Sequence, residues 1–427
     1  MNAPRRVERA SRLRGALLVP GDKSGSHRAL MLSALASGQS TISGLSNGQD
    51  VAATSQILVQ LGAERIDEPD QVVIVGPRSG LEASQRPLDC ANSGTTMRLM
   101  TGIVSSIEGS HQLVGDESLS RRPMDRVAVP LALMGARVSG RGERSFAPLL
   151  VEGRERLRAI NYRVPNPSAQ VKSAILLAGL NADGPTHVQE DVRTRTTTED
   201  MLVRAGVSVR SVEVDQGRTI EIQPGRPLAQ RWKVPGDPSQ AAFFAVLGLI
   251  HHDAQIEIRE LDASAERIGF VSVLARMGGR IELTDVAETG NLVCESSDLS
   301  ATEVRASEIP SVDEVPVLVV AAAAATGTSV FRDMGELRVK ESNRFEGSMQ
   351  LAASLGCRVW SEGDDFFVEG VGSSDAFREF ELDAHLDHRM VMASAVAATA
   401  GRGCWIGGDT TVASSYPNFF DDLARLE

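Results

Sequence analysis

The chain has 427 residues, with 44 Lys plus Arg against 56 Asp plus Glu, a formal net charge of −12, 42% apolar residues and 23% charged. That length exceeds one ordinary core and predicts two domains. The composition excludes disordered and fibrous chains, and the acidic total argues against nucleic acid as a partner.

Residues 1–14 carry Arg5, Arg6, Arg9, Arg12 and Arg14 with no apolar stretch behind them. No secretory leader is therefore expected, and the default location is the cytoplasm. The longest strongly apolar run, Val315 to Thr326, is shorter than the ~20 residues that span a bilayer, so no membrane helix is expected. Cys90, Cys294, Cys357 and Cys404 are far apart and form no C-x-x-C. They suit a reducing compartment and offer no zinc site.

The segment Val19-Pro20-Gly21-Asp22 recurs as Val234-Pro235-Gly236-Asp237, about half the chain later, which points to a duplication. A finer repeat runs through Gly38, Gly109, Gly184, Asp253, Gly327 and Gly401, at spacings of 71, 75, 69, 74 and 74. Each follows an apolar, Ala-rich stretch and precedes a strand-like run. A second, amphipathic stretch then ends at a glycine such as Gly62, Gly135, Gly206, Gly278 or Gly356, where a helix C-cap belongs. The unit reads helix, strand, helix, strand, and usually another strand, six times over. The sixth unit stops at Glu427 before any closing strands, and the run around Leu13 to Val19 is expected to supply them. Residues 20–234 would then form one domain, and residues 1–19 with 235–427 the other. First helices such as Ala174 to Leu180, Val315 to Ala325 and Met390 to Ala400 are apolar on every face, which predicts burial beneath sheets.

The starts of these inner helices are polar: Asp22 to Arg28, Asn92 to Arg98, Pro167 to Gln170, Gly236 to Ser239, Ser311 to Glu314, and Asp387 to Arg389. Ordinary N-capping accounts for the Ser, Asn and Asp. It does not account for Lys23, Arg28, Arg98 or Arg389, since cations in a first turn oppose the helix dipole. Free N–H groups and cations together suit an anion, and both domains could aim such ends at one cleft. In Arg338 to Arg344, Lys340 and Arg344 read as like charges one turn apart on a helix face, with Glu341 among them. A solvated face and an anion site both fit. The loop Gly115 to Pro123, with Arg121 and Arg122, likewise fits a surface loop or a site. Only four of the basic residues are lysines: Lys23 and Lys340 fall in these clusters, whereas Lys172 and Lys233 fit chance.

In order along the chain, Pro20-Gly21-Asp22-Lys23-Ser24, Asn92 to Arg98, Ser168-Ala169-Gln170, Arg338 to Ser342 and Asp387-His388-Arg389 resemble the motifs of the 5-enolpyruvylshikimate-3-phosphate synthases. The match runs from about Leu17 to Leu426. The resemblance implies an α/β fold of two similar domains, each of three βαβαββ units with buried inner helices wrapped by sheets, an inverse α/β barrel. It implies transfer of the enolpyruvyl group of phosphoenolpyruvate to the 5-hydroxyl of shikimate 3-phosphate, with release of phosphate. By similarity, shikimate 3-phosphate is held by Lys23, Ser24, Arg28, Ser168, Ala169, Gln170, Thr194, Asp313 and Lys340. Phosphoenolpyruvate is held by Lys23, Asn92, Gly94, Arg122, Gln170, Arg344 and Arg389, with Gly94 leaving room for the mimic glyphosate. Asp313 is implied as the base, Glu341 as the proton donor, and Lys23 completes the catalytic set. No metal or organic cofactor is expected, the partners are the two small-molecule substrates, and a monomer is expected.

Departures from the family's usual pattern are Gly25, Ala169, Gln240, Asn343 and Ser414, the last where some members carry a lysine. Gly25 and Ala169 fall on the acceptor side, so an enolpyruvyl transferase for another cyclic acceptor stays open. UDP-N-acetylglucosamine is disfavoured, since Glu117 stands where those enzymes carry a reactive cysteine. A non-catalytic repeat protein that binds polyanions is the alternative from another class.

Overall fold

The computed structural model describes residues 3–286, 289–309 and 312–427. Ser311, one of the helix-start residues named above, lies outside the described residues. The chain divides into two compact units, residues 23–234 and residues 1–22 with 235–427.

The unit of residues 23–234 holds three inner helices, Lys23–Leu35, Gly94–Val104 and Ala169–Gly179. Each is followed by a four-stranded sheet. The first sheet runs Arg231–Lys233, Gly38–Ser43, Gln71–Gly76, Glu64–Asp67, with the first pair parallel and the others antiparallel. Two further sheets repeat that order around Gly109–Val114 and Thr186–Glu190. Gly102 lets two inner helices meet closely, because a Cβ there would lie 2.3 Å from the Ala174 carbonyl oxygen.

In the other unit the helices Pro238–Ile250, Val315–Ala324 and His388–Ala400 are buried along their whole length. Each large apolar side chain enclosed in this way, Phe243 and Phe244 among them, contributes roughly 1.5–3 kcal/mol. The outer helices are amphipathic, and the glycines expected to close them, Gly62, Gly135, Gly206, Gly278 and Gly356, all have φ between +79° and +107°.

The N-terminal run differs from its expected pairing. Leu13–Leu17 lies parallel to Ala254–Asp262 in the fourth repeat, and it is Arg5–Val7 that pairs with Cys404–Gly407 in the sixth. The reason is an exchange of strands. Arg231–Lys233, which precedes the fourth repeat in sequence, pairs with Gly38–Ser43 in the first repeat, so the fourth takes the equivalent segment from before Pro20. The two Pro-Gly segments are bonded to each other, Asp22 N–H to the Pro235 carbonyl at 2.7 Å and Asp237 N–H to the Pro20 carbonyl at 2.9 Å. These bonds carry the first unit boundary to Asp22, past Val19. Arg267, its side chain 8% exposed, donates to both Asp22 and Asp237. No described helix is long and apolar enough to cross a membrane.

Candidate active site

In the unit of residues 23–234, the Lys23 ammonium donates to the Asp50 carboxylate at 3.0 Å. Asp50 is buried in the first turn of the helix Gln49–Gln60. Arg28, also buried, donates to the Ser24 carbonyl at 2.9 Å, Ser173 Oγ at 2.9 Å and Thr198 Oγ1 at 2.5 Å. Ser168 caps its helix by accepting from the Val171 N–H at 3.3 Å, which leaves its own O–H free to donate. The Gln170 amide donates to Thr95 Oγ1 at 2.9 Å and accepts from Arg98 at 2.6 Å. A small cavity opens here, lined by Ser24, Arg28, Thr95, Ala169, Gln170, Arg195 and Thr197.

From the loop beside it, Arg195 and Thr197 line the cavity, while Thr194 turns its hydroxyl to Glu190 at 2.8 Å. Lys172 departs from the expectation of chance. It is wholly buried, 2.7 Å from Glu199 and 3.1 Å from Glu190, and Arg218 also reaches both carboxylates. Burial works to raise the pKa of Glu190, but Lys172, Thr194 and Arg218 outweigh it and hold the group below the usual carboxylate range. For Glu199 burial prevails over the same two cations, and its pKa lies above that range.

The Arg121-Arg122 pair divides. Arg121 points outward to Glu117, whereas Arg122 is buried and donates to Asn92 Oδ1 at 2.8 Å and Ser118 Oγ at 3.2 Å. Asn92 in turn donates to Asp116 at 2.6 Å. Ser93 caps the next helix by accepting from Thr96 N–H, and Gly94 sits beneath Arg98 and Arg122, with a Cβ there 3.0 Å and 3.3 Å from their guanidinium nitrogens.

In the unit of residues 1–22 with 235–427, the guanidinium of Arg344 is the hub. It meets Asp313 at 2.8 Å, Glu341 at 2.7 Å and Asp387 at 2.8 Å. Asp387 also caps its own helix through the Arg389 N–H at 2.9 Å and accepts from Ser342 at 2.8 Å. Arg389 is buried, donates to the Ser239 carbonyl at 2.8 Å and approaches Asp313 at 3.8 Å. Burial acts to raise the Asp313 pKa, but Arg389, Arg344 and Lys340 together hold it well below the usual carboxylate range. Asp387 is likewise lowered, with Arg344 overcoming its burial. Lys340 and Arg344 do not share a helix face, contrary to expectation. The chain is 3₁₀ over Met334–Val339, extended at Lys340, and becomes α-helical only from Arg344 after the Asn343 cap.

Three carboxylates therefore face three cations, and Lys23 likewise has a carboxylate partner. Of the helix-start cations that the dipole disfavours, Lys23 and Arg389 are thus offset by protein carboxylates, which bound anions could displace. Asp50, Arg195 and Thr197 are absent from the residues inferred from sequence, and Thr95 enters there only as part of the helix start Asn92 to Arg98. Arg195 follows Thr194 directly, and that adjacency was its only signal. Among the described residues no cluster of His, Cys, Asp and Glu could hold a metal ion.

The family model for EPSP synthase (3-phosphoshikimate 1-carboxyvinyltransferase) matches residues 7–423. The chain is 40% identical over 426 residues to a 3-phosphoshikimate 1-carboxyvinyltransferase of Streptococcus equi subsp. equi, covering 98% of each, and 40% identical over 427 residues to that of Streptococcus uberis, again covering 98% of each. A solved EPSP synthase from Acinetobacter baumannii is 34% identical with a TM-score of 0.85, over 99% of this chain and 97% of that one. The enolpyruvyl transferase NikO from Streptomyces tendae, at 19% identity and a TM-score of 0.77 over 99% and 96%, shares the fold. The chain belongs to the EPSP synthase (3-phosphoshikimate 1-carboxyvinyltransferase) family.

Proposed function

We propose a division of labour among these residues for the transfer of the enolpyruvyl group from phosphoenolpyruvate to shikimate 3-phosphate, the reaction of the family in the shikimate route to aromatic compounds. Lys23, Ser24, Arg28, Ser168, Ala169, Gln170, Asp313 and Lys340 serve the acceptor, and Thr194, its hydroxyl turned to Glu190, serves it through the loop that it anchors. Lys23, Asn92, Gly94, Arg122, Gln170, Arg344 and Arg389 serve phosphoenolpyruvate, the planar guanidinium groups taking its carboxylate and phosphate in bidentate fashion.

The Asp313 carboxylate takes the proton of the 5-hydroxyl as that oxygen bonds to C2 of phosphoenolpyruvate. Glu341, as the acid, delivers a proton to the methylene carbon, giving a tetrahedral intermediate that bears a methyl group and the phosphate. The C2–O bond to phosphate then breaks, the Glu341 carboxylate recovers a proton from the methyl group, and the enol ether and phosphate leave. The observation that carries these roles is Arg344 joined to both Asp313 and Glu341, since one anion drawn to that guanidinium would lie beside base and acid together.

We further place the enzyme in the cytoplasm as a monomer, a location supported by four buried, unbridged cysteines, and we expect glyphosate to compete with phosphoenolpyruvate. The test is phosphate release with both substrates. Asp313→Asn and Glu341→Gln should each lower turnover at least ~10³-fold with an unchanged circular dichroism spectrum. Wild-type protein that releases no phosphate from this pair would overturn the acceptor assignment.

A further inference from the structure

We propose that the buried quartet Lys172, Glu190, Glu199 and Arg218 positions the 191–197 loop for acceptor binding, an inference that rests on the acceptor half of the function above. Four elements contribute to it: the helix Ala169–Gly179, the end of the strand Thr186–Glu190, the first turn of the helix Thr197–Arg204, and the start of the strand Arg218–Ile222. Glu190 and Arg218 are paired directly across the sheet.

Every polar group of Thr194 is drawn into this cluster. Its N–H and its hydroxyl donate to Glu190 at 3.0 and 2.8 Å, and its carbonyl accepts from Arg218 at 2.8 Å and from Lys172 at 3.4 Å. The loop is thereby fixed from beneath at one residue, and the two side chains it sends into the cavity, Arg195 and Thr197, lie one and three positions further on. Lys172 belongs to the same helix as Ala169 and Gln170, which line the cavity from the other side. The quartet thus joins both walls of the cavity through groups that do not line it.

Two cations and two carboxylates buried together are an unfavourable way to fill a core, since apolar residues of similar size often serve as well or better. Their geometric return is orientation: a guanidinium fork and an ammonium can fix a carbonyl where apolar side chains cannot. A displacement of about 1 Å in a binding group can cost roughly 100-fold. These four are positioning residues, and none is expected to touch substrate.

The experiment compares wild type with the charge-neutral pair Lys172→Met/Glu199→Gln, chosen so that no lone charge is left buried, and with Arg218→Lys, which keeps the charge but loses the fork. The double variant should raise KM for shikimate 3-phosphate about 10- to 100-fold, with kcat and KM for phosphoenolpyruvate within about 3-fold of wild type. Arg218→Lys should give a smaller rise of the same kind. Amide hydrogen exchange should show Thr194 and Arg195 losing protection in both variants while the inner helices keep theirs. Retained protection at Thr194, or lost protection with an unchanged acceptor KM, would overturn the proposal. A wrong acceptor reads out separately, as wild-type protein inactive with shikimate 3-phosphate, and the exchange comparison then decides whether the quartet holds the loop.

Discussion

The Arg344 guanidinium lies 2.8 Å from the Asp313 carboxylate while its other nitrogens engage Glu341 and Asp387, so a single side chain ties the proposed base to the proposed acid. Removing it takes from all three carboxylates the one guanidinium they share. Arg344→Met should therefore lower stability by about 3–5 kcal/mol, the cost of breaking a buried pair, and abolish turnover. Arg344→Lys keeps the charge but cannot reach three partners at once. It should fold and turn over at least ~10²-fold more slowly, as chemical denaturation and phosphate release would show. Turnover within 3-fold of wild type in Arg344→Lys would remove Arg344 from the mechanism.

Lys23 and Asp50 form the corresponding pair in the other unit, at 3.0 Å, with Asp50 buried and Lys23 partly exposed. The exposed end suits a ligand and the buried end suits a support. Lys23→Met should abolish turnover and also cost roughly 1–3 kcal/mol, because Asp50 is left as a buried charge without this partner. Asp50→Asn keeps the shape and should lower kcat only about 10-fold. Equal losses of activity in the two variants would show that Asp50 does more than hold Lys23.

Much of this site can be read from the chain because so many of its groups stand at helix starts, where Ser93, Ser168, Asp237 and Asp387 each cap locally and a neighbouring cation has no local reason to be present. Lys23, Arg28 and Arg389 stand out on that ground alone. Partner choice is a tertiary property and leaves no such mark: nothing near Lys172 in sequence foretells Glu190, Glu199 and Arg218. The sixfold repeat is likewise visible in the glycine spacing. The exchange of Leu13–Leu17 with Arg231–Lys233 is not, because the two segments sit at equivalent places in equivalent repeats and either pairing satisfies the local pattern. The face shared by Lys340 and Arg344 fails for a local reason, since the Asn343 cap starts the helix after Lys340.

Gly94 has almost no room above it: a methyl group would sit 3.0 Å from Arg98 and 3.3 Å from Arg122, both at the ends of flexible side chains. The fold should tolerate Gly94→Ala, with those tips moving a few tenths of an ångström. Arg122 is one of the proposed phosphoenolpyruvate clamps, so its displacement should raise KM for phosphoenolpyruvate about 10-fold and weaken glyphosate by at least as much, within the roughly 10–200-fold that one methyl group commands in a tight pocket. Steady-state kinetics with glyphosate as a competitive inhibitor measures both. Unchanged constants in Gly94→Ala would move the phosphoenolpyruvate site away from this helix start.

The acid side of the stability profile should carry the mark of the Arg344 cluster. Asp313 and Asp387 both lie below the usual carboxylate range in the folded protein, as Arg389, Arg344 and Lys340 overcome the burial of the first and Arg344 that of the second. A carboxylate whose folded pKa is depressed stabilises the fold fully above its unfolded value, about 4, and loses that contribution as pH falls through the folded value. The stability gap between wild type and Arg344→Met should accordingly begin to narrow while the wild-type carboxylates are still ionised, because burial without the guanidinium raises Asp313 and Asp387 in the variant and they take up protons first. Below about pH 4 it should narrow further, as the unfolded wild-type chain takes up protons that its folded Asp313 and Asp387 do not. Urea denaturation of both proteins across pH 3–7 gives the gap directly, and a gap that widens on acidification would mean that Arg344 is not what holds these carboxylates ionised.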